Sequence, residues 1–181
     1  MIYSLEGKTS TTGAGFVVVE VAGVGYQVNV SPKLLISSKP GENIKLYTHH
    51  QVREDIQALY GFETEDELRL FNRLISVSGV GPKAGLTIIS QLSSEGIASA
   101  INRGDVASLA SVSGIGKKTA ERIILELAGK LKRAGEIDDE VAKGLQSLGF
   151  SRDEVHHALE GVDQGLSSDK KLKLALTKLK K

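Results

Sequence analysis

The chain has no cysteine among its 181 residues. That excludes a disulfide scaffold, a thiolate metal site and a cysteine nucleophile, and it fits a reducing compartment. It also lacks charge of one sign: 23 basic against 22 acidic side chains leave a formal net charge of +1. The molecule as a whole is no polycation, so any affinity for nucleic acid has to come from a local patch. Aromatics are scarce, with four Tyr and four Phe, too few for a persuasive base-stacking platform on Tyr3, Phe16 and Tyr26. No apolar run approaches membrane-spanning length, and MIYSLEGKTS has neither a basic n-region nor an apolar h-region. The expectation is a soluble, cytoplasmic protein with no membrane partner.

What is present divides into three stretches. Residues 1–63 alternate apolar and polar positions in FVVVEV (16–21), YQVNV (26–30), NIKLYTHH (43–50) and IQALYGF (56–62), with the turn-like AGVG and the Pro40-Gly41 breaker between them. Short strands at this spacing predict an OB-like β-barrel of about five strands. At Thr64 the periodicity becomes helical. TEDE reads as a capping box with Thr64 as N-cap and Glu67 three residues on, followed by Leu68, Phe71, Leu74 and Ile75 on one face. Helical patterns continue through PKAGLTIISQ, EGIASAIN, DVASLASV and KKTAERIILELAGKLKR, so this all-α segment is taken as 64–133. Residues 134–138 read as a short linker. Three helical patterns in 139–181, namely DEVAKGLQSLG, RDEVHHALEG and SDKKLKLALTKLK, predict a small three-helix domain. The fold class expected is therefore multi-domain α+β. Basic and acidic residues number 5 and 6 in 1–63, 10 and 7 in 64–134, and 8 and 9 in 135–181. The positive excess sits in the middle.

That middle segment holds an internal repeat. LISVSGVGPKAGLTII (74–89) aligns without gaps on LASVSGIGKKTAERII (109–124), identical at 9 of 16 positions and offset by 35 residues, as a duplication would produce. A Walker phosphate loop is excluded, because Ser111 stands where its first glycine belongs and Lys118 follows Lys117 where Ser or Thr is needed. Gly79-Val80-Gly81-Pro82-Lys83-Ala84 satisfies a loose dinucleotide pattern, yet it follows a helix-like LFNRLISV and has no acid at ribose distance. What remains is helix, tight G-x-G hairpin, helix. Such a corner turns backbone N–H groups outward beside the positive end of the next helix, where one phosphate fits. Lys83, Lys117 and Lys118 stand within reach of the same phosphate. The stretch resembles the helix-hairpin-helix family, in two copies. For a single copy, a G-x-G that merely ends one helix and starts another is an equally good reading. Two copies with a lysine at the same offset favour the phosphate grip, which would bind by shape and charge without reading sequence.

Arg53, Glu54 and Asp55 fall at the tip between the last two strands. From spacing alone they are an ordinary solvated turn. His49 and His50 in a strand point to opposite faces, and the adjacent His156 and His157 share no helix face, so no metal site and no cofactor are assigned.

Taken together, a barrel carrying VREDIQALYGF, the SVSGVGPK / SVSGIGKKTAER repeat and a small C-terminal helical domain resemble the RuvA family of bacterial Holliday-junction-binding subunits. The resemblance covers the whole chain. It implies a homotetramer, or an octamer of two tetramers, that receives a four-way junction in an open form during recombination and DNA repair within the SOS response. It implies that Glu54 and Asp55 form an acidic pin at the junction centre and that Arg53 guides a separated strand. Gly79, Gly81, Lys83, Gly114, Gly116, Lys117, Lys118 and Arg122 match the positions that hold each arm's backbone. By the same resemblance, residues 139–181 dock onto the hexameric ATPase RuvB, the resolvase RuvC is a further partner, and the chain itself is no enzyme. Leu166, Leu172, Leu174, Leu176 and Leu179 read mostly as the core of the last domain, with a docking face as the alternative. The linker is short for this family, reaching roughly 15–18 Å at full extension.

An enzymatic rival is a helix-hairpin-helix glycosylase or lyase using Lys117 and Asp138. Asp138 lies in an acidic stretch, the first repeat copy has no equivalent acid, and no base-flipping pocket or aromatic wedge is evident. A third reading is a scaffold whose barrel binds single strands.

Overall fold

A computed structural model describes residues 1–129, 139–159, 162 and 166–179. The chain divides into two compact units, Met1–Leu131 and Lys132–Lys181. The 134–138 stretch read as a linker lies outside the described residues.

The first unit opens with five strands, β1 (Ser4–Gly13), β2 (Phe16–Val21), β3 (Val24–Asn29), β4 (Asn43–Val52) and β5 (Gln57–Phe62), closed into a barrel in the order β1-β2-β3-β5-β4. All neighbours are antiparallel except β3 and β5, which run parallel through Val28↔Leu59 and Asn29↔Tyr60. The Asn29 side-chain amide donates to the Leu59 carbonyl at 2.9 Å and strengthens this short seam. A register shift between Thr9 and Thr11 bends β1 so that it pairs with both β2 and β4, the usual device for closing a small barrel. Alternation puts Leu5, Val17, Val19, Val28, Leu46 and Leu59 inside. Gly61 is needed where the barrel narrows: a Cβ there would lie 2.6 Å from Val28 Cγ1.

A short helix, α1 (Pro32–Ser37), connects β3 to β4, with Ser31 as its N-cap and Pro at its first position. Five helices follow among the described residues of the same unit: α2 (Glu65–Ile75), α3 (Pro82–Gln91), α4 (Ser94–Arg103), α5 (Val106–Ala110) and α6 (Lys117–Leu127). Thr64 caps α2 as expected, its hydroxyl accepting from the Glu67 N–H at 3.2 Å. The Glu67 carboxylate accepts from the N–H of Glu63, one residue before the cap, instead of from Thr64. The helical reading of KKTAERIILELAGKLKR is interrupted at Ala128 and Gly129, and its last four residues, 130–133, lie outside the described residues. α6 stops at Leu127, Ala128 takes an extended ψ of 130°, and Gly129 follows at φ +73°, the left-handed conformation that commonly closes a helix.

The helical core gathers Leu74, Ile88, Ile97, Ile101, Leu109 and Ile123. A separate cluster of Tyr60, Phe62, Leu68 and Phe71 fastens the barrel to α2. Phe71 stacks on Tyr60 at 5.6 Å and lies 4.8 Å from Phe62. His49 joins this seam. Its Nδ1 pairs with Asn72 Oδ1 at 2.8 Å and its ring meets Phe71 edge-on.

The second unit contains α7 (Asp139–Ser147), α8 (Arg152–Leu159) and α9 (Ser168–Leu179). Val141, Leu145, Val155, Ala158, Leu159 and Ala175 form its core, with Leu172, Leu176 and Leu179 packed against it. Leu174 is exposed, and Leu166 is half-buried.

Candidate nucleic-acid interface

The two repeat copies fold alike. Each begins as its first helix ends on a serine, Ser76 after α2 and Ser111 after α5, both at φ −73° and ψ −16°. Val77 and Val112 then turn inward, almost fully buried, and each accepts a 3.0 Å hydrogen bond on its carbonyl, from the Val80 N–H in one copy and the Ile115 N–H in the other. Val80 and Ile115 are buried in turn, so two apolar anchors fix each corner to the core. Between them Gly79 and Gly114 take φ of +90° and +83°, which a residue with a Cβ adopts only at a cost.

The second glycine of each pair has a different reason to be there. Gly81 and Gly116 are N-caps with ordinary extended dihedrals, φ −85° and −81°, and a Cβ on either would meet nothing within 4 Å. The fold does not demand glycine at these positions. What glycine does there is leave the backbone bare. The other four helices described in this unit are capped by side chains: Ser31 for α1, Thr64 for α2, Ser93 for α4 and Asp105 for α5. In contrast α3 and α6, the helices that follow the hairpins, have no side-chain cap. Their first intrahelical bonds are Gly85 N–H to Gly81 O and Ala120 N–H to Gly116 O, both 2.9 Å. The N–H groups ahead of them, of Lys83 and Ala84 in α3 and of Lys117, Lys118 and Thr119 in α6, are the donors a helix start leaves over. Together with the positive end of the helix dipole they suit an anion.

Lys83, Lys117 and Lys118 are all exposed beside these corners. The ion pairs seen among the described residues lie elsewhere, joining Lys39 to Glu42, Lys45 to Glu6, and Arg69 to Glu65 and Asp66. Arg122, on α6, reaches across to the other hairpin: its Nη1 donates to the Ser78 carbonyl at 3.0 Å and to the Ser78 hydroxyl at 3.3 Å. A second tie runs the opposite way, from the Ser113 N–H to Gln91 Oε1 at the end of α3, at 3.2 Å. Sequence reasoning missed Ser78, Gln91 and Ser113. The identical serines of SVSG were a visible signal, but their partners are side chains 44 and 22 residues away.

Arg53, Glu54 and Asp55 are exposed at the β4–β5 tip. The Arg53 N–H donates to the Ile56 carbonyl at 2.8 Å, closing the turn. Neither acid takes a positive φ, so the tip is not one of the primed turns usual for two-residue hairpin loops. No hydrogen bond or ion pair among the described residues engages either carboxylate. Val52 and Ile56 flank them, also exposed. Burial raises the pKa of Tyr60 above its ordinary value, and the Arg53 charge works against that shift. Deeper in the same strand pair, burial lowers the pKa of His49, with the Asn72 hydrogen bond opposing and the neighbouring His50 assisting.

No group of three or more His, Cys, Asp or Glu able to hold a metal ion occurs among the described residues. Among the same residues no helix is long and apolar enough to cross a membrane.

Comparison with known proteins covers almost the entire chain. Residues 1–61 match the family described as RuvA N terminal domain, residues 71–128 the SAM-like Helix-hairpin-helix tandem, and residues 137–180 the RuvA, C-terminal domain. The chain is 40% identical over 190 aligned positions to the Holliday junction branch migration complex subunit RuvA of Dehalococcoides mccartyi, with 97% of each chain covered. It is 40% identical over 188 positions to the protein of the same description from Thermoanaerobacter sp., and 38% over 194 to that from Neisseria meningitidis, with both chains covered in full each time.

Proposed function

The chain belongs to the RuvA family, and we propose that it binds four-way (Holliday) DNA junctions by their shape and holds them open for branch migration driven by a partner ATPase. The observation that carries this reading is the pair of matching G-x-G corners. Four described helices of the unit take a side-chain cap, while the two that follow these corners present bare amides and lysines. Donors of that kind grip phosphate and ignore base identity.

In this reading the corners hold the two strands of a duplex arm across its minor groove, through the amides following Gly79 and Gly81 and those following Gly114 and Gly116. Lys83, Lys117, Lys118 and Arg122 supply the positive charge. Glu54 and Asp55 do the opposite. Carboxylates near phosphates raise the energy of any DNA backbone laid over them, so at the crossover they disfavour continuous duplex and favour separated strands, which Arg53 guides. The separation of roles follows domains 1–63, 64–133 and 139–181, joined by 134–138. Residues 139–181 dock onto the motor, the RuvB hexamer, which hydrolyses ATP; this chain is a non-catalytic subunit that works as a homotetramer around the junction, and RuvC acts on the same DNA.

The test is a pair of anisotropy titrations, one with a four-way junction and one with linear duplex built from the same arms, at two salt concentrations. Tight, salt-sensitive binding that favours the junction by orders of magnitude is the expected result. Equal affinities would leave the corners as phosphate grips and remove the junction assignment.

A further inference from the structure

We infer that Arg122 is a positioning residue, which with Gln91 braces the two G-x-G corners against each other at the spacing one duplex arm requires. The inference rests on the junction-binding reading and deepens it. Arg122 belongs to the helix of the second corner, yet its guanidinium lies on the first. It bonds the Ser78 carbonyl and hydroxyl, and it sits so close over the turn that a Cβ on Gly79 would lie 3.7 Å from its Nη1. Ser78 is the residue immediately before the left-handed Gly79. The tie therefore acts on the backbone of the phosphate grip itself.

The return tie strengthens this reading. Ser113 occupies the same place in the second corner, immediately before Gly114, and its N–H donates to Gln91 from the end of α3. Each corner is thus held by a side chain from the helix of the other. Repeat symmetry does not require this. The first-copy counterpart of Arg122 is Thr87, whose hydroxyl bonds its own helix at the Lys83 carbonyl. The two cross-ties are different chemical solutions to one task.

The task follows from how two weak grips combine. A single amide corner on a phosphate is modest, and two on one ligand multiply only if their separation matches the ligand before it arrives. Without the cross-ties the corners would be related through the side-chain packing beneath them. Both bonds leave one nitrogen, Nη1, held in the plane of the guanidinium, so distance and direction are set together, whereas a lysine at position 122 would supply the charge on a shorter stem with freely rotating donors.

That difference provides the test. Junction affinity is measured by anisotropy over a salt series for the wild-type chain, Arg122→Lys, Gln91→Ala and, as a contact control, Lys118→Ala, with thermal unfolding of each. A brace predicts that Arg122→Lys and Gln91→Ala each weaken junction binding about fivefold or more. Their salt slope should stay that of the wild type, because no charge has been removed, and their unfolding midpoints should stay within about 2 °C of it. Lys118→Ala should instead flatten the slope by about one unit. Arg122→Lys binding as tightly as wild type would show that position 122 contributes charge alone and would sink the brace. So would a loss that follows the unfolding midpoint instead of the intact fold. Wild-type protein without salt-sensitive DNA binding would sink the junction reading first and the brace with it.

Discussion

Two kinds of chain reversal reach the surface of the first unit, and they are opposite in nearly every respect. The β4–β5 tip turns with side chains that carry negative charge and make no partner of their own among the described residues. The α2–α3 and α5–α6 corners turn with glycines and offer backbone donors backed by lysine. On the proposed reading one repels polyanions and the other receives them. A chain with a net charge of +1 can still discriminate strongly among DNA shapes, because the arrangement of signs decides where a backbone can lie and the sum does not.

The glycines allow the comparison to be broken most severely. Gly79→Ala and Gly114→Ala together force a Cβ into left-handed backbone, at about 1–2 kcal/mol per residue, so both thermal stability and DNA affinity should fall, the latter about tenfold or more. Gly81→Ala and Gly116→Ala have ordinary φ and open space, so stability should fall only by the modest cost of Ala at an N-cap, about 0.5–1 kcal/mol each, while DNA binding weakens by a similar factor to the first pair. Retained binding in either pair would show that the bare backbone is not the grip.

Next in size are the charges. Replacing both Lys117 and Lys118 by Ala should reduce the magnitude of the salt slope by about two and weaken duplex and junction alike. Glu54→Gln with Asp55→Asn should act with the opposite sign, tightening duplex binding several-fold while junction preference shrinks. Unchanged affinity for both substrates would return the acid pair to an ordinary solvated turn.

The smallest effect concerns the seam that fastens the strand pair bearing the tip to α2, the helix before the first corner. His49 lies on the strand leading to the acids and bonds Asn72 on the helix leading to Gly79. Its surroundings are Phe71, Tyr60, Asn72 and the neighbouring His50. Burial depresses its pKa below 6.5, so the unfolded chain binds the proton more readily. The stability it contributes is complete above about pH 6.5 and declines as pH falls through the depressed folded value. Urea unfolding of the wild type and His49→Gln across pH 5 to 8 should show a shallower acid decline in the variant; parallel curves would assign the decline to other groups.

Much of this was legible in the sequence. Alternation revealed four strands because each has one face in a barrel core, and the 35-residue repeat exposed the corners because duplication preserves local turn chemistry. α1 was missed although Ser31-Pro32 is a proper helix start, since six residues offer too little periodicity to register. The break after Leu127 was overlooked because the helical rhythm of IILELAG runs through it, and Gly129 had to be weighed as a stop. The Arg122 and Gln91 ties were not legible at all. They exist only once two helices from different repeats have packed, and no local pattern announces such a meeting.

The acid tip is mounted on a strand pair that runs in register for six residues, from Tyr47↔Phe62 to Val52↔Gln57, inside a sheet that closes on itself. Mechanically, that is a post set in a ring. DNA drawn past the tip would load its hydrogen bonds along the strands and pass the force to all five staves at once. On the proposed reading, a duplex drawn over the tip would yield pair by pair while the post keeps its shape.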